Sequence, residues 1–380
     1  MHITVSLRII GVLLMIFSTA MIPSLFIGLY DHDNSSAAFA TAFAVNIFAG
    51  IALWLPNRKA NHDLRIRDGF LVTALFWIVL GCFGSIPFVV TDALHLSLAD
   101  AMFESISGLT TTGATVIVGL DDLPRSLLLY RQLLQWLGGI GIIVVAVAIL
   151  PMLGIGGMQL YRAESAGPSK DRKLTPRITG TAKALFSIYA GLTSLCALAY
   201  WLAGMTAFDA ICHAFSTVAI GGFSTHDASM GYYDSNAILF ICTVFMVISA
   251  INFGLHFIAF QRRSVDIYRR DSETSFFSAI ILIATALTCT TLIITSTLSP
   301  SESLIHGLFQ TVSIATTTGF ATQDFAHWPH FLPFLLLMLS FMGGCVGSTG
   351  GGMKAMRLLL ILDRAPASLS SCFTPTPSFP

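Results

Sequence analysis

Eight apolar runs dominate the chain, at residues 9–30, 37–55, 70–90, 132–153, 184–204, 236–260, 276–298 and 331–361, the last interrupted by glycines. A helix crossing a bilayer takes about 20 apolar residues, so each run is long enough to span one. Three shorter apolar stretches lie among them, near 100–112, 209–221 and 303–318. Each holds about 10 helical residues, or about 15 Å at 1.5 Å per residue, which is half a bilayer. Composition agrees: 54% of residues are hydrophobic and 11% charged, against about 25% charged in soluble domains. Lipid must therefore cover much of the surface, and the expected fold class is an all-α integral membrane protein. The formal net charge of +0 gives no sign of a nucleic-acid partner. The first run is too long for a signal-peptide core and ends without a small-residue cleavage site, so it reads as a retained span.

Basic residues set the orientation. The connector 56–69 carries Arg58, Lys59, Arg65 and Arg67; 154–183 carries Arg162, Lys170, Arg172, Lys173, Arg177 and Lys183; 261–275 carries Arg262, Arg263, Arg269 and Arg270. The alternate connectors are acidic, with Asp31 and Asp33, Asp92 and Asp100, Asp121 and Asp122, Asp227 and Asp234. Arg125 and Arg131 are the main exceptions. The alternation holds across all eight spans if each short stretch enters and returns on the acidic side, and it then puts both termini in the cytoplasm. The seven cysteines form no CxxC pair, and six lie in or beside apolar runs, so they read as small buried hydrophobes.

The short stretches repeat. They read DAMFESISGLTTTGAT from Asp100, DAICHAFSTVAIGGFST from Asp209 and HGLFQTVSIATTTGFAT from His306. Gly113, Gly222 and Gly319 align, and six residues before each stands a serine, Ser107, Ser216 or Ser313. Each stretch sits between two spans. The unit is therefore span, half-helix, polar glycine loop, span.

That unit fits a permeation pathway. A half-helix ending inside the membrane leaves unpaired carbonyls and the negative end of its dipole there. Non-helical backbone at that depth survives only when buried in protein or lining a wet cavity. Glycine permits angles that aim several carbonyls at one axis, and converging carbonyls can replace the hydration shell of a monovalent cation. Thr111, Thr112, Thr317 and Thr318 are candidates for further hydroxyl oxygens. Asp100 and Asp209 read as N-caps of the half-helices, with ion attraction at the outer mouth as the alternative. Glu104 is either a packing partner or a cation attractant. Trp136, Gly138, Gly139 and Gly141 read as a close-packing motif, and Asn252 and His256 as partners in a satisfied interhelical hydrogen bond.

TTTGAT at 110–115, with RQLLQWLGGIGIIVVAVAILPMLGIGG at 131–157, resembles the first pore repeat of Trk-type potassium uptake proteins of the Trk/Ktr/HKT superfamily. TTTGF at 316–320 and GGCVGSTGGGMKAMR at 343–357 resemble their third. The resemblance covers about residues 1 to 362. It implies an N-terminal helix pair over 1–56 and pore repeats over 69–153, 183–260 and 275–362. It further implies a potassium filter in which Thr111, Thr112 and Gly113, Ile220, Gly221 and Gly222, and Thr317, Thr318 and Gly319 face the ion. Glycine at all three aligned positions implies potassium rather than sodium. The glycine-rich run with Gly350, Gly351, Gly352 and Lys354 is, in the family, a gating loop beneath the filter; the alternative is a packing crossing with Lys354 snorkelling. Implied partners are a second copy of the chain, a cytosolic nucleotide-binding Trk regulatory subunit and membrane lipid. Potassium is the transported ligand and no cofactor is expected.

The second loop lacks the threonines of the other two. The filter glycines stand 109 and 97 residues apart, so a fourth would fall beyond residue 380. The stretch 363–380, rich in Ser and Pro, reads as a disordered tail outside the family. The expectation is a chain without its fourth repeat, with impaired transport or none. Competing readings are an inactive remnant, a sodium or other monovalent cation transporter, and an alternating-access carrier, which normally shows inverted repeats. An intramembrane enzyme is disfavoured, since no HExxH or nucleophile–base pattern is present.

Overall fold

The structure is a computed structural model describing residues 3–60, 66–149 and 178–362. The described residues contain helices and turns and no strand. The tail 363–380, Cys372, and most of the basic connector 154–183 lie outside them.

The first apolar run becomes α1 (Ile3–Ser18) and α2 (Met21–Tyr30), followed by α3 (Ser36–Asn57). These pack on the first repeat, which consists of α4 (Ile66–Gly84), α5 (Ile86–Val90), the half-helix α6 (Leu98–Leu109) and α7 (Arg125–Ile149). The second repeat is α8 (Ile178–Leu202), the half-helix α9 (Ala207–Ala219), α10 (Asn236–Ser249) and α11 (Phe253–Arg262). After the short α12 (Asp266–Arg270), the third comprises α13 (Ser272–Ile294), the half-helix α14 (Pro300–Ala315), α15 (Leu332–Ser340) and a last helix over 355–362. One buried cluster joins Val5, Ile9 and Phe17 of α1 to Leu80, Leu109 and Tyr130 of the first repeat. A second, larger one fills the space between the second and third repeats, from Tyr189 and Cys242 to Phe309, Phe320 and Leu336.

Among the described residues, five helices are long and apolar enough to cross a membrane, six if one bent pair counts as a single span. The expected eight differ from this for local reasons. Helix α7 is described only to Ile149 and is kinked at Gly141, whose φ is 46°. The run 236–260 is not one straight span: α10 and α11 meet at 95°. Asn252 caps the new helix, its Oδ1 accepting from Gly254 N at 2.7 Å, and Phe253 N donates to Gly347 O at 3.0 Å. The expected span 331–361 stops being helical after Ser340 and resumes at 355, as its glycines dictate.

The half-helices start one turn earlier than the aspartates. Ser97, Thr206 and Ser299 are the N-caps, and their hydroxyls accept from the backbone N–H of Asp100, Asp209 and Glu302. The carboxylates in turn accept from those hydroxyls, Asp100 at 2.7 Å, Asp209 at 2.7 Å and Glu302 at 2.8 Å. Asp100 and Asp209 thus occupy the third helical position rather than the cap itself. The thrice-repeated pattern of a hydroxyl residue followed three positions later by an acid is a capping-box signature, and each cap stabilises its helix by about 1 kcal/mol.

Candidate functional site

The three half-helices deliver three loops of one backbone shape. Thr111, Ile220 and Thr317, two residues before the aligned glycines, are left-handed, with φ of 53°, 56° and 67°. Gly113, Gly222 and Gly319 follow at 78°, 80° and 86°. In each loop the residue between them donates its N–H to the carbonyl of the aligned serine: Thr112 to Ser107 at 2.9 Å, Gly221 to Ser216 at 2.9 Å and Thr318 to Ser313 at 2.8 Å. Two left-handed residues around one such bond reverse the chain and leave carbonyls without helical partners. That geometry costs strain at the non-glycine positions and is reproduced three times.

The loops meet edge to edge. A methyl group built on Gly113 would overlap the carbonyl oxygen of Gly221, and one on Gly222 would overlap that of Thr318. The carbonyl before each later glycine therefore lies against the backbone of the preceding loop. A methyl on Gly319 meets nothing within 4 Å among the described residues. The contacts bring Gly113, Gly221, Gly222, Thr318 and Gly319 together across the loops, while Thr111, Thr112, Ile220 and Thr317 lie in the same three loops outside these contacts. Threonine hydroxyls are less available than expected, because Thr112 pairs with Thr110 at 2.7 Å and Thr318 with Thr316 at 2.7 Å. The Thr317 hydroxyl accepts from Gly351 N at 2.8 Å.

The first and third loops are also tied back to their own half-helices by the aligned serine hydroxyl. Ser107 Oγ donates to Ala114 O at 2.6 Å, and Ser313 Oγ donates to Phe320 O at 2.7 Å. Glu104, left open between two roles by the sequence, is fully buried and takes part in this framework. Its carboxylate accepts from Thr115 Oγ1, from Val116 N and from Arg131 Nε, the last at 2.8 Å. Arg131 is one of the two exceptions to the charge alternation, and it too is fully buried. It donates to Ser224 O at 3.1 Å and lies over the Phe223 ring at 4.3 Å, so it ties the first loop to the second. The exception to the topology rule is thus a buried structural ion pair linking the first two loops. Gln135, four residues on, is a further buried contact that the sequence reading passed over.

Near the start of the second half-helix, His226 Nδ1 meets Asp121 Oδ1 at 2.5 Å and its Nε2 lies 3.7 Å from Asp209 Oδ1, with the ring stacked on Tyr232. Burial alone would lower the His226 pKa, but the two carboxylates raise it. The hydrogen bond from His226 holds Asp121 below the usual carboxylate range. Among the described residues no group of three or more His, Cys, Asp or Glu side chains has the arrangement of a metal site.

Beneath the second and third loops lies the glycine-rich segment 341–354. It folds back on itself: Met353 N donates to Phe341 O at 3.0 Å and Ala355 N to Gly344 O at 3.1 Å. Gly351 reaches Thr317, Thr349 Oγ1 donates to Val218 O at 2.9 Å, and Lys354 Nζ donates to Gly350 O. Glu273, at the start of α13, accepts from Val346 N at 2.8 Å and Met356 N at 3.0 Å through one oxygen. The segment is therefore tied down through Glu273 and braced against the third loop and the last turn of the second half-helix. The packing motif behaves as expected: a methyl on Gly138 would stand 2.8 Å from the Leu109 carbonyl carbon, and Trp136 stacks on Tyr189. His256 is satisfied through Ile248 O and the Tyr268 hydroxyl, both at 2.8 Å. Each of the six described cysteines is free, five of them buried.

Residues 35–376 match the family model of TrkH, a cation transport protein. The Trk system potassium uptake protein TrkH of Vibrio parahaemolyticus is 58% identical over 359 residues, which is 93% of this chain and 74% of that protein. Its namesake in Escherichia coli K12 is 50% identical over 376 residues, covering 99% of this chain and 78% of the relative. The crystal structure of the potassium transporter TrkH from Vibrio parahaemolyticus superposes with a TM-score of 0.88 at 51% identity, over 100% of this chain and 78% of that one. The family match reaches residue 376, inside the stretch that the sequence reading set apart, and the expected loss of a fourth repeat finds no support in these comparisons. With the repeated loops, the broken last span and these matches agreeing, the chain belongs to the TrkH family of cation transport proteins.

Proposed function

We propose that the three loops are sides of a filter that passes potassium across the cytoplasmic membrane, with Thr111, Thr112, Gly113, Ile220, Gly221, Gly222, Thr317, Thr318 and Gly319 facing the ion. The observation that carries this reading is the threefold repetition of one strained backbone turn whose carbonyls converge from neighbouring loops. Uncharged carbonyls suit a monovalent ion that sheds its water, and the similar proteins are named as potassium uptake proteins. The segment with Gly350, Gly351, Gly352 and Lys354 is the gate below. Its bonds to Thr317 and Val218 are few enough to break in opening. Both termini face the cytoplasm, where the basic connectors receive a nucleotide-binding regulatory subunit, and two copies of the chain assemble in the membrane.

The test is potassium-limited growth of a bacterial strain lacking its own uptake systems, with this chain, Gly113→Ser and Gly319→Ser compared at equal membrane levels. Rescue by the chain that weakens with either serine supports the filter. Rescue indifferent to both substitutions, or none despite confirmed insertion, overturns it.

A further inference from the structure

The second loop solves a problem that the other two do not have. In the first and third, the residue before the filter glycine is a threonine whose hydroxyl pairs with another threonine two residues earlier. In those loops the aligned serine also holds the carbonyl just after the glycine. The second loop has Ala219 and Gly221 where the threonine pair would be, and Ser216 does not reach back to its own loop. Its hydroxyl donates to Gln135 Oε1 at 2.6 Å instead.

Gln135 comes from α7 of the first repeat and is fully buried. Its Oε1 accepts a second bond from Phe223 N at 3.1 Å, and its Nε2 donates to Gly221 O at 2.7 Å. Two donors converge on one end of the amide and a carbonyl faces the other, so the network fixes which end is oxygen. The brace also explains the glycine. A methyl built on Gly221 would overlap the Gln135 amide, with Nε2 at 2.7 Å, so the space a threonine would fill is taken. Gly221 has no positive φ, and its lack of a side chain answers to room rather than to backbone angle. The carbonyl that Gln135 holds is the one lying against Gly113.

We propose that Gln135 is a positioning residue of the filter: an amide from the first repeat that replaces the missing threonine pair of the second loop, fixes the direction of the Gly221 carbonyl, and so sets how strictly the filter prefers one monovalent cation over another. This rests on the filter reading above. A buried amide donating to a carbonyl both aims that carbonyl and draws on its negative charge, so losing it changes ion preference as well as stability.

The test reconstitutes the purified chain in lipid vesicles and measures potassium and sodium flux through wild type, Gln135→Leu, Ser216→Ala, Gly221→Thr and the double variant Gln135→Ala with Gly221→Thr. The expected result is an about tenfold fall in potassium-over-sodium preference for Gln135→Leu and a smaller fall for Ser216→Ala. Gly221→Thr is expected to be more harmful alone than when Gln135 is also cut to alanine, because the double change empties the space the threonine needs. A Gln135→Leu protein whose flux falls only in proportion to its folded amount, at unchanged preference, overturns the proposal. If that variant does not fold, an unchanged preference in Ser216→Ala together with additive effects in the double variant overturns it as well. A wild-type chain that folds but shows no potassium preference overturns the filter reading first and this inference with it.

Discussion

Replacing Gly222 with alanine tests the edge-to-edge filter most directly. Two costs add. At φ of 80° an L side chain costs about 1–2 kcal/mol. The new methyl would also overlap the Thr318 carbonyl oxygen and stand 3.0 Å from its carbon, where carbon atoms pack at about 3.5–4.0 Å. Relieving that contact pushes the Thr318 peptide by about 0.5 Å or more, at about 1–3 kcal/mol for overpacking. The sum is about 2–5 kcal/mol. On the filter reading proposed above, the displaced atom is one of the oxygens that meets the ion, so part of the cost falls on transport. With about 1.4 kcal/mol per factor of ten, a drop of at least tenfold in potassium flux follows. Gly119→Ala is the control: it has the same left-handed φ of 77° and no neighbour within 4 Å of the new methyl. It should cost about 1–2 kcal/mol of stability and leave ion preference alone. Thermal unfolding in detergent gives the first quantity, and paired potassium and sodium fluxes in vesicles give the second. If Gly222→Ala carries potassium at the wild-type rate and preference while folding normally, the loops do not touch as described.

Arg131→Met leaves Glu104 buried without its partner and should destabilise the protein by about 3–5 kcal/mol, read as lost folded yield; adding Glu104→Gln should restore much of it. Glu273→Ala frees the backbone N–H groups of Val346, within the glycine-rich segment, and of Met356, just past it, costs about 1–3 kcal/mol for each buried group left unpaired, and should raise resting cation leak in vesicles. An unchanged or lower leak would deny Glu273 a part in holding the gate closed. Stability should respond to pH through His226, which faces Asp121, Asp209, His213, Tyr232 and Tyr233. Because its pKa is raised on folding, its contribution is complete below the unfolded value of about 6.5. That contribution is lost as pH rises through the folded value. Unfolding temperature should therefore fall over that window in wild type and fall less in His226→Gln; the same slope in both would exonerate His226.

Much of this architecture could be read from local pattern. The half-helices and their aligned glycines stood out because one spacing recurs three times, and the break in the last span because glycines crowd it. The capping hydroxyls were equally visible in Ser97, Thr206 and Ser299, each three residues ahead of an acid, and the bare aspartates drew attention away from them. The bend between α10 and α11 has a different origin. Residues 236–260 are apolar throughout, and the chain turns at Asn252 because Phe253 bonds to Gly347, almost a hundred residues on. Arg131 shows the same limit. Counting charges marks it as an exception to orientation, and only the fold reveals Glu104 waiting inside the protein to receive it.

The brace on the second loop also gives the chain an order of assembly. Arg131 and Gln135 precede Gly221 by 90 and 86 residues, which is several seconds of synthesis at about 5–20 residues per second. The span bearing them can be in the membrane before the loop they hold has left the ribosome. The third loop has the opposite history. Its contact to the segment below runs from Thr317 to Gly351, which is made later. The first two loops can thus meet as soon as both are made, and the third, once laid against Gly222, gains its last brace only when the later segment arrives. A ribosome stalled between residues 230 and 340 would carry a half-built entrance, already shaped and still open at its base.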